Sequence, residues 1–143
     1  MKKLVTILLI VAFIQGCDPY SRGYICNDTN GNIELTLKFT YDSTHQMTKG
    51  EYRSWFQDQI DSNTVQLSLD TVNMTGVYMI ESQKCALVGH GMSGYPPLWF
   101  NYLQLRTQND TLTYSNIDVP KTFTKRGGTK IGLGGDFELR ITK

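Results

Sequence analysis

Two short stretches of this chain carry residue types that are used in hydrolysis and in phosphate binding. Residues 89–94 read GHGMSG and place His90 three positions before Ser93. A serine nucleophile elbow needs the pattern GxSxG, and Tyr95 stands where the second glycine is required. Residues 127–135 read GGTKIGLGG, without the spacing or the closing Lys-Ser/Thr of a phosphate loop. We therefore predict that both stretches are glycine-rich loops. We also predict that the protein is not an enzyme.

The histidines and two of the cysteines do not have the spacing of a metal site. His45 and His90 are the only histidines, and no CxxC or HxxxH pattern accompanies them. We expect no metal and no other cofactor. For Cys26 and Cys85 two alternatives are open. An oxidising compartment favours a disulfide between an even number of cysteines, and two buried thiols are the other alternative.

The remaining cysteine, Cys17, ends an apolar N-terminal segment. A basic start, Met1–Lys3, is followed by LVTILLIVAFI at Leu4–Ile14, and the chain turns polar directly after the cysteine. This is the pattern of a secretory signal peptide. The apolar run is too short to cross a bilayer, which needs roughly 20 residues. We predict that residues 1–16 are a signal peptide.

The residues around Cys17 resemble the lipobox of bacterial lipoproteins. That motif has a branched apolar residue three positions before the cysteine and a small residue directly before it, as Ile14 and Gly16 provide here. Gln15 departs from the small or β-branched residue that is usual in the family. The resemblance implies that the Cys17 sulfur carries diacylglycerol, with palmitate among its fatty acids, and that cleavage makes this residue the N-terminus. The alternative is an ordinary signal peptide with an incidental cysteine.

The chain as a whole loosely resembles the small lipoproteins of Bacteroidota. They share a lipobox, an early Asn-rich turn before an alternating strand, Asn-Asp-Thr hairpins and an alternating last strand. The resemblance implies a lipid-anchored protein of the bacterial cell envelope, with the outer membrane as the expected location. The periplasmic face and the cell surface both remain open. No particular activity is implied.

The charge balance argues against partners that bind through strong electrostatic attraction, such as nucleic acid. The 14 basic residues include Lys2 and Lys3 of the predicted signal peptide, so 12 basic residues stand against 13 acidic ones in the remainder. This balance gives no electrostatic footprint for nucleic acid and no polybasic patch for lipid headgroups. We predict that the membrane is reached through the lipid alone.

Alternation of apolar and polar residues predicts a mainly β protein. Period two is typical of strands with one buried face. The clearest examples have apolar residues at positions 33, 35, 37 and 39, at 65, 67 and 69, and at 137, 139 and 141. Seven or eight short strands with frequent turns predict an antiparallel β-sandwich, immunoglobulin-like or related, with at most one short helix. The helix candidate is Thr48–Ile60, and an irregular segment is its alternative.

The predicted domain organisation is simple. Residues 1–16 are the signal peptide, residues 17–23 (CDPYSRG) form a polar tether, and residues 24–143 form a single β-sandwich domain. Pro19 and Gly23 are the reason for expecting no regular structure in the tether.

Three triplets resemble the acceptor motif for protein O-glycosylation in Bacteroidota. Each has an aspartate, then a serine or threonine, then a methyl-bearing residue. The predicted acceptors are Ser43, Thr71 and Thr111.

The expected function is that of a non-enzymatic binding or accessory module. Tyr95 and Trp99 lie in a Gly/Pro-rich stretch and are the predicted binding loop, with a protein or a glycan as the partner. The first alternative is a structural or assembly lipoprotein that uses an edge strand such as Phe137–Ile141. The second is a periplasmic enzyme inhibitor or a hydrolase.

Overall fold

The computed structural model describes residues 20–39, 51, 54, 60, 63–92, 98–115, 118–126 and 134–142. Within these ranges the chain forms nine strands and a four-residue helix. Glu51 and Ser54 are also helical, whereas most of the helix candidate Thr48–Ile60 lies outside the described residues. The elements are β1 (Tyr20–Asn27), β2 (Ile33–Phe39), β3 (Thr64–Asp70), β4 (Thr75–Ile80), β5 (Lys84–Met92), β6 (Phe100–Arg106), β7 (Thr111–Ser115), α1 (Asp118–Lys121), β8 (Thr124–Arg126) and β9 (Gly135–Ile141).

The strands form two sheets, which confirms the predicted β-sandwich class. One sheet has four strands in the order β5-β1-β9-β8, and the other has five in the order β3-β4-β2-β6-β7. Their facing sides hold a continuous apolar core. In β2 the four alternating apolar residues are buried, as the sequence predicts, and their polar neighbours face outward. Burial of this one face supplies most of the driving force for joining the sheets.

Strand β9 corrects two expectations about the sheet. It pairs with β1 in parallel, from Ser21 opposite Gly135 to Asn27 opposite Ile141, so the sheet is mixed and not wholly antiparallel. It also lies between β1 and β8, and because β8 pairs only as far as Glu138, the predicted edge Phe137–Ile141 is covered in its first part alone among the described strands. Alternation along a strand identifies its buried face, but it contains no information about which strands lie on either side.

The N-terminal boundary of the domain is also corrected. Strand β1 begins at Tyr20, so the second half of the predicted tether is part of a sheet and the domain begins before residue 24. Gly23 lies inside this strand, and a Cβ there would be 3.1 Å from Leu98 Cδ2. Glycine therefore serves here to let the loop before β6 pack closely on β1, and it does not interrupt the strand.

Strand β3 shows how a bulge changes the buried face. Val65 pairs with Met79, whose position is on the outer face, while Leu69 pairs with Gly76 on the core side. The pairing shifts between Gln66 and Ser68, which places one additional residue in β3. A single inserted residue exchanges the two faces of a strand. Val65 and Leu67 are consequently 47% and 50% exposed, and the prediction that all three apolar positions share one buried face is wrong.

Tyr78 on β4 buries a hydroxyl group without satisfying it. The side chain is 3% exposed, and its hydroxyl has no hydrogen-bond partner within the described part of the chain. Its neighbour Gly76 makes room for it, because a Cβ at that position would overlap the tyrosine ring and hydroxyl. Desolvation raises the pKa of Tyr78 from 10.0 to about 12.

We expect the substitution Tyr78→Phe to stabilise the protein by about 1 kcal/mol at neutral pH, because it removes an unpaired buried hydroxyl without leaving a large cavity. Above pH 10 the unfolded state releases the tyrosine proton before the folded state does. Wild-type stability should therefore fall between pH 10 and pH 12 more steeply than that of the variant. Urea unfolding of both proteins at pH 7 and in this range measures the two effects. Equal stabilities throughout would contradict the prediction.

Candidate binding site

The sandwich has two ends with different chemistry. At the proximal end β1 begins at Tyr20, three residues after Cys17. At the distal end β1 reaches Asn27, and the turns from β1 to β2, from β4 to β5 and from β6 to β7 lie there. The C-terminal end of β9 is also distal, because β9 runs parallel to β1.

A groove with polar residues and a mainly apolar lining surface opens at the distal end. We call it the distal groove, and its volume is about 450 Å³. Most of its lining comes from the turn between β1 and β2 and from the turn between β6 and β7. The described lining residues are Thr29, Asn30, Gly31, Asn32, Thr107, Gln108, Asn109, Asp110, Leu112, Ile141 and Thr142.

The buried side chain of Asn27 holds the first of these turns. Its Nδ2, which has two hydrogens, lies within hydrogen-bond distance of the backbone oxygens of Gly31 (2.8 Å), Ile80 (3.1 Å) and Glu81 (3.1 Å), so that one hydrogen is shared between two of them. Its Oδ1 accepts from the backbone nitrogen of Thr29 at 3.0 Å and from the hydroxyl of Thr29 at 2.7 Å. One side chain thus connects the turn after β1 with the turn after β4, and it provides hydrogen bonds to backbone groups that are buried or part-buried.

Strand β9 supports the same turn from the other side. Nη1 of Arg140 donates to both carboxylate oxygens of Asp28, at 3.0 and 2.8 Å. The Asp28 backbone nitrogen donates to the Ile141 oxygen at 3.0 Å. Hydrogen bonds between ionised groups are stronger than those between neutral ones. The backbone beside the groove is therefore held in place by the fold.

The second turn is held by Thr107. Its backbone nitrogen donates to the Asp110 oxygen at 2.9 Å, and its hydroxyl accepts from the backbone nitrogens of Asn109 (3.3 Å) and Asp110 (2.9 Å). One carboxylate oxygen of Asp110 accepts from the Thr111 nitrogen at 2.7 Å. Turns of this kind use the side-chain oxygens of Thr and Asp in place of backbone partners.

Three amide side chains in the lining remain available for a ligand. Asn30, Gln108 and Asn109 are exposed, and within the described ranges no hydrogen bond occupies their side-chain amides. Each amide offers two donors and an acceptor. Of the described lining residues only Asp110 is charged, and Leu112 and Ile141 add an apolar surface. Because most of the lining surface is apolar, the groove suits a neutral ligand that has apolar faces and also donates and accepts hydrogen bonds.

A smaller depression of about 330 Å³ continues from the distal groove over the outer face of the five-stranded sheet. The two share Asn32, Thr107 and Gln108. The extension passes Glu34 and Arg106, which are opposite each other on β2 and β6. Its far side contains Leu67 and Met79. Together the two parts offer room for an elongated ligand.

The outer face of the four-stranded sheet carries charges that are already paired. Arg22 binds Asp136 through two contacts of 2.8 and 3.0 Å. Glu138 accepts from Arg126 at 2.7 Å and from Arg140 at 3.0 Å, and Arg140 also binds Asp28, as described above. These charges neutralise one another, so this face offers little attraction to a charged ligand.

The structure joins Cys26 and Cys85 by a disulfide, which decides between the two alternatives left open by the sequence. The two residues are directly opposite each other on β1 and β5. The bond lies at the distal end of the sandwich, beside Asn27 and Lys84, which form the next pair of the ladder. It closes a loop between residues that are 59 positions apart in the sequence.

The remaining predicted site residues are divided between the described and the undescribed parts of the chain. Cys17, Ser43 and Tyr95 lie outside the described residues, so their predicted roles stay predictions. Trp99 directly precedes β6 at the proximal end and is 45% exposed. Trp99 and the distal groove are therefore at opposite ends of the sandwich.

Two of the three predicted glycosylation acceptors are described. Thr111 is exposed at the start of β7, and Thr71 is half-buried in the turn from β3 to β4. The aspartate of the second motif also has a structural role, because Asp70 accepts from the side chain of Asn73 and from the backbone nitrogens of Val72 and Asn73. These bonds, with that from the Asn73 side chain the largest cause, lower the pKa of Asp70. Glycosylation stays a prediction.

Sequence reasoning recognised the distal residues only as turn formers. The residue types at Asn27–Gly31 and at Asn109-Asp110 predict turns, and the structure places turns there. Their convergence on one groove depends on strand order, which the sequence pattern does not contain. Among the described residues, no group of three or more His, Cys, Asp or Glu side chains is placed to hold a metal ion.

No match was found in comparisons of the chain with protein-family models, with curated proteins and with solved structures. The search for membrane-spanning helices, confined to the described part of the chain, found none that is long and apolar enough.

Proposed function

We propose that this protein is a lipid-anchored, non-enzymatic binding protein of the bacterial cell envelope, attached through Cys17 and binding its ligand in the distal groove. The observation that carries the proposal is that the predicted anchor and the groove are at opposite ends of the sandwich. The first strand begins at one end of the sandwich, three residues after the lipobox cysteine, and the distal groove opens at the other.

The dimensions of the fold support this arrangement. The residues between Cys17 and Tyr20 reach at most about 10 Å when fully extended. Strand β1 has eight residues and runs for about 26 Å towards the distal end. An acylated Cys17 therefore keeps the proximal end close to the membrane and presents the groove to the surrounding compartment, at the outer membrane as the expected location.

The lining of the groove favours a carbohydrate ligand. Sugar hydroxyls both donate and accept hydrogen bonds, as do the amides of Asn30, Gln108 and Asn109. A phosphorylated ligand or a nucleic acid is disfavoured, because Asp110 supplies the charge of the described lining and that charge is negative. The volume of about 450 Å³ lies within the range of small-ligand sites. We therefore propose a neutral oligosaccharide.

Substitution of two of the available amides tests the site. We expect Asn30→Ala combined with Gln108→Ala to weaken binding of a neutral oligosaccharide by about thirtyfold, because each of the two lost hydrogen bonds costs about 1 kcal/mol. The measurement is retention of the full-length, detergent-solubilised protein on an array of immobilised neutral oligosaccharides. Titration of the best ligand then gives the affinity of each variant.

The matched control is Gln66→Ala, which removes an exposed amide on β3 away from the groove. It should leave the affinity unchanged. The carbohydrate proposal is wrong if no neutral oligosaccharide is retained, or if the double variant binds as well as the control does.

A second candidate function is assembly into an envelope complex through an edge strand. The observation that favours it is β3, an edge of the five-stranded sheet that exposes Val65 and Leu67. Exposed apolar edges are sites where another chain can add a strand. This candidate predicts that a partner co-purifies stoichiometrically from native membranes. The substitution Val65→Lys should abolish that co-purification.

A further inference from the structure

The proximal end of the sandwich exposes aromatic and apolar side chains. Tyr20 at the start of β1 is 54% exposed, and Trp99 before β6 is 45% exposed. Val72, in the turn from β3 to β4, is 75% exposed. That turn is proximal as well, because the Phe39 nitrogen at the end of β2 donates to the Met74 oxygen at 2.8 Å.

These three positions lie on different parts of the proximal end. Tyr20 belongs to the four-stranded sheet, and Val72 belongs to a hairpin of the five-stranded sheet. Trp99 is adjacent to Leu98, which packs against Gly23 and so lies between the sheets. The exposed side chains thus extend across the end of the sandwich and are not a single patch on one strand.

From these positions we infer that the proximal end rests on the lipid surface, with Trp99, Tyr20 and Val72 in the headgroup layer. The inference rests on the proposed anchor at Cys17. The headgroup region of each leaflet is about 5–8 Å thick, and the tether from Cys17 to Tyr20 reaches about 10 Å at most. A tether this short brings the first strand to the membrane surface.

The chemistry of the exposed side chains suits this layer. Tyr and Trp have an apolar ring with a polar group, and they concentrate where hydrocarbon meets water. Of the described proximal cations, Lys121 and Arg126 are paired with carboxylates at 3.2 and 2.7 Å. Lys38 and Lys125 are exposed and make no ion pair with another described residue. We therefore expect partition of the aromatic rings to drive the contact, and the two lysines to add an attraction to anionic lipids that salt screens.

Fluorescence of Trp99 tests the contact. The chain has two tryptophans, so Trp55→Phe leaves Trp99 as the reporter. The chain has three cysteines, and Cys26 and Cys85 are bonded to each other. Cys17 is therefore the one with a thiol that can be labelled. It can be coupled to a maleimide phospholipid in vesicles of phosphatidylethanolamine and phosphatidylglycerol. Natural acylation is not needed for this measurement.

On anchoring, we expect iodide quenching of Trp99 to fall by about twofold, since a half-exposed ring moves out of water. Phosphatidylcholine brominated near the top of its acyl chains should quench the same tryptophan. Both effects should persist at high salt, which screens the attraction of Lys38 and Lys125 for phosphatidylglycerol and leaves the partition of the rings. If the single-tryptophan variant does not fold, the quenching of Trp99 is obtained as the difference in iodide quenching between wild type and Trp99→Phe.

The matched control anchors the sandwich in the opposite direction. Cys17→Ser combined with Asn30→Cys keeps three cysteines and places the lipid on an exposed distal turn. Iodide should then quench Trp99 as in the unanchored protein. The inference is overturned if Trp99 anchored through position 17 is as accessible to iodide as in this control. Lack of acylation at Cys17 in the native protein would instead overturn the proposed function.

Discussion

Loss of the Cys26–Cys85 disulfide should lower the free energy of unfolding by about 4 kcal/mol. The bond joins residues 59 positions apart, and closing a loop of that length removes much of the entropy of the unfolded chain. Small domains are stable by about 5–15 kcal/mol in total, so this is a large fraction. Urea unfolding of the double variant Cys26→Ala and Cys85→Ala, compared with wild type, measures it.

The control for this prediction is Cys17→Ser, which removes a thiol without breaking a cross-link and should leave the urea midpoint unchanged. Reduction of wild type should lower the midpoint towards that of the double variant. Coincident unfolding curves for the oxidised, reduced and doubly substituted proteins would show that the disulfide does not stabilise the fold. A large effect would also mean that the protein depends on an oxidising compartment, as the predicted export requires.

The substitution Asn27→Ala should cost about 3 kcal/mol. It leaves the buried oxygen of Ile80 and the backbone nitrogen of Thr29 without the partners that the amide supplies. Each unsatisfied buried group costs about 1–3 kcal/mol. The change should also weaken ligand binding, because the turn that lines the distal groove loses the side chain that holds it. Urea unfolding and oligosaccharide titration measure the two effects.

Asn30→Ala is the matched control for stability, because Asn30 lies in the same turn but is exposed. It should change the free energy of unfolding by less than about 0.5 kcal/mol. Asn27→Asp adds a further test, since it keeps an acceptor for Thr29 but places a carboxylate against three backbone oxygens. It should destabilise more than alanine at neutral pH. Equal stabilities for the variants at positions 27 and 30 would contradict the role given to Asn27.

The sequence predicted the sandwich and many of its strands because burial of one face produces alternation. Strand β2 follows this rule along its whole length, and the last strand follows it at Phe137, Leu139 and Ile141. The rule failed in β3, where the bulge near Leu67 moves Val65 to the outer face. It also could not predict that β1 and β9 are parallel neighbours, because pairing between strands far apart in sequence depends on the whole fold.

The candidate site was less predictable than the fold. The sequence identified turns at both places that line the distal groove, since Asn, Asp and Thr form turns through local hydrogen bonds. It could not show that Asn27 is a buried connection between two turns, because that role depends on the oxygens of Ile80 and Glu81, more than fifty residues away. The sequence predicted Trp99 as part of a binding loop. Because Trp99 lies at the proximal end, we propose the lipid surface as its partner.

The central claim is that Cys17 anchors the protein and thereby fixes which end of the sandwich faces the membrane. The direct test is mass spectrometry of the N-terminal peptide of the protein purified from native membranes. We predict a peptide that begins at Cys17 and carries the mass of a diacylglycerol group, and we predict that Cys17→Ser releases the protein from the membrane fraction. An N-terminus at another residue, or a Cys17 without lipid, would contradict the account.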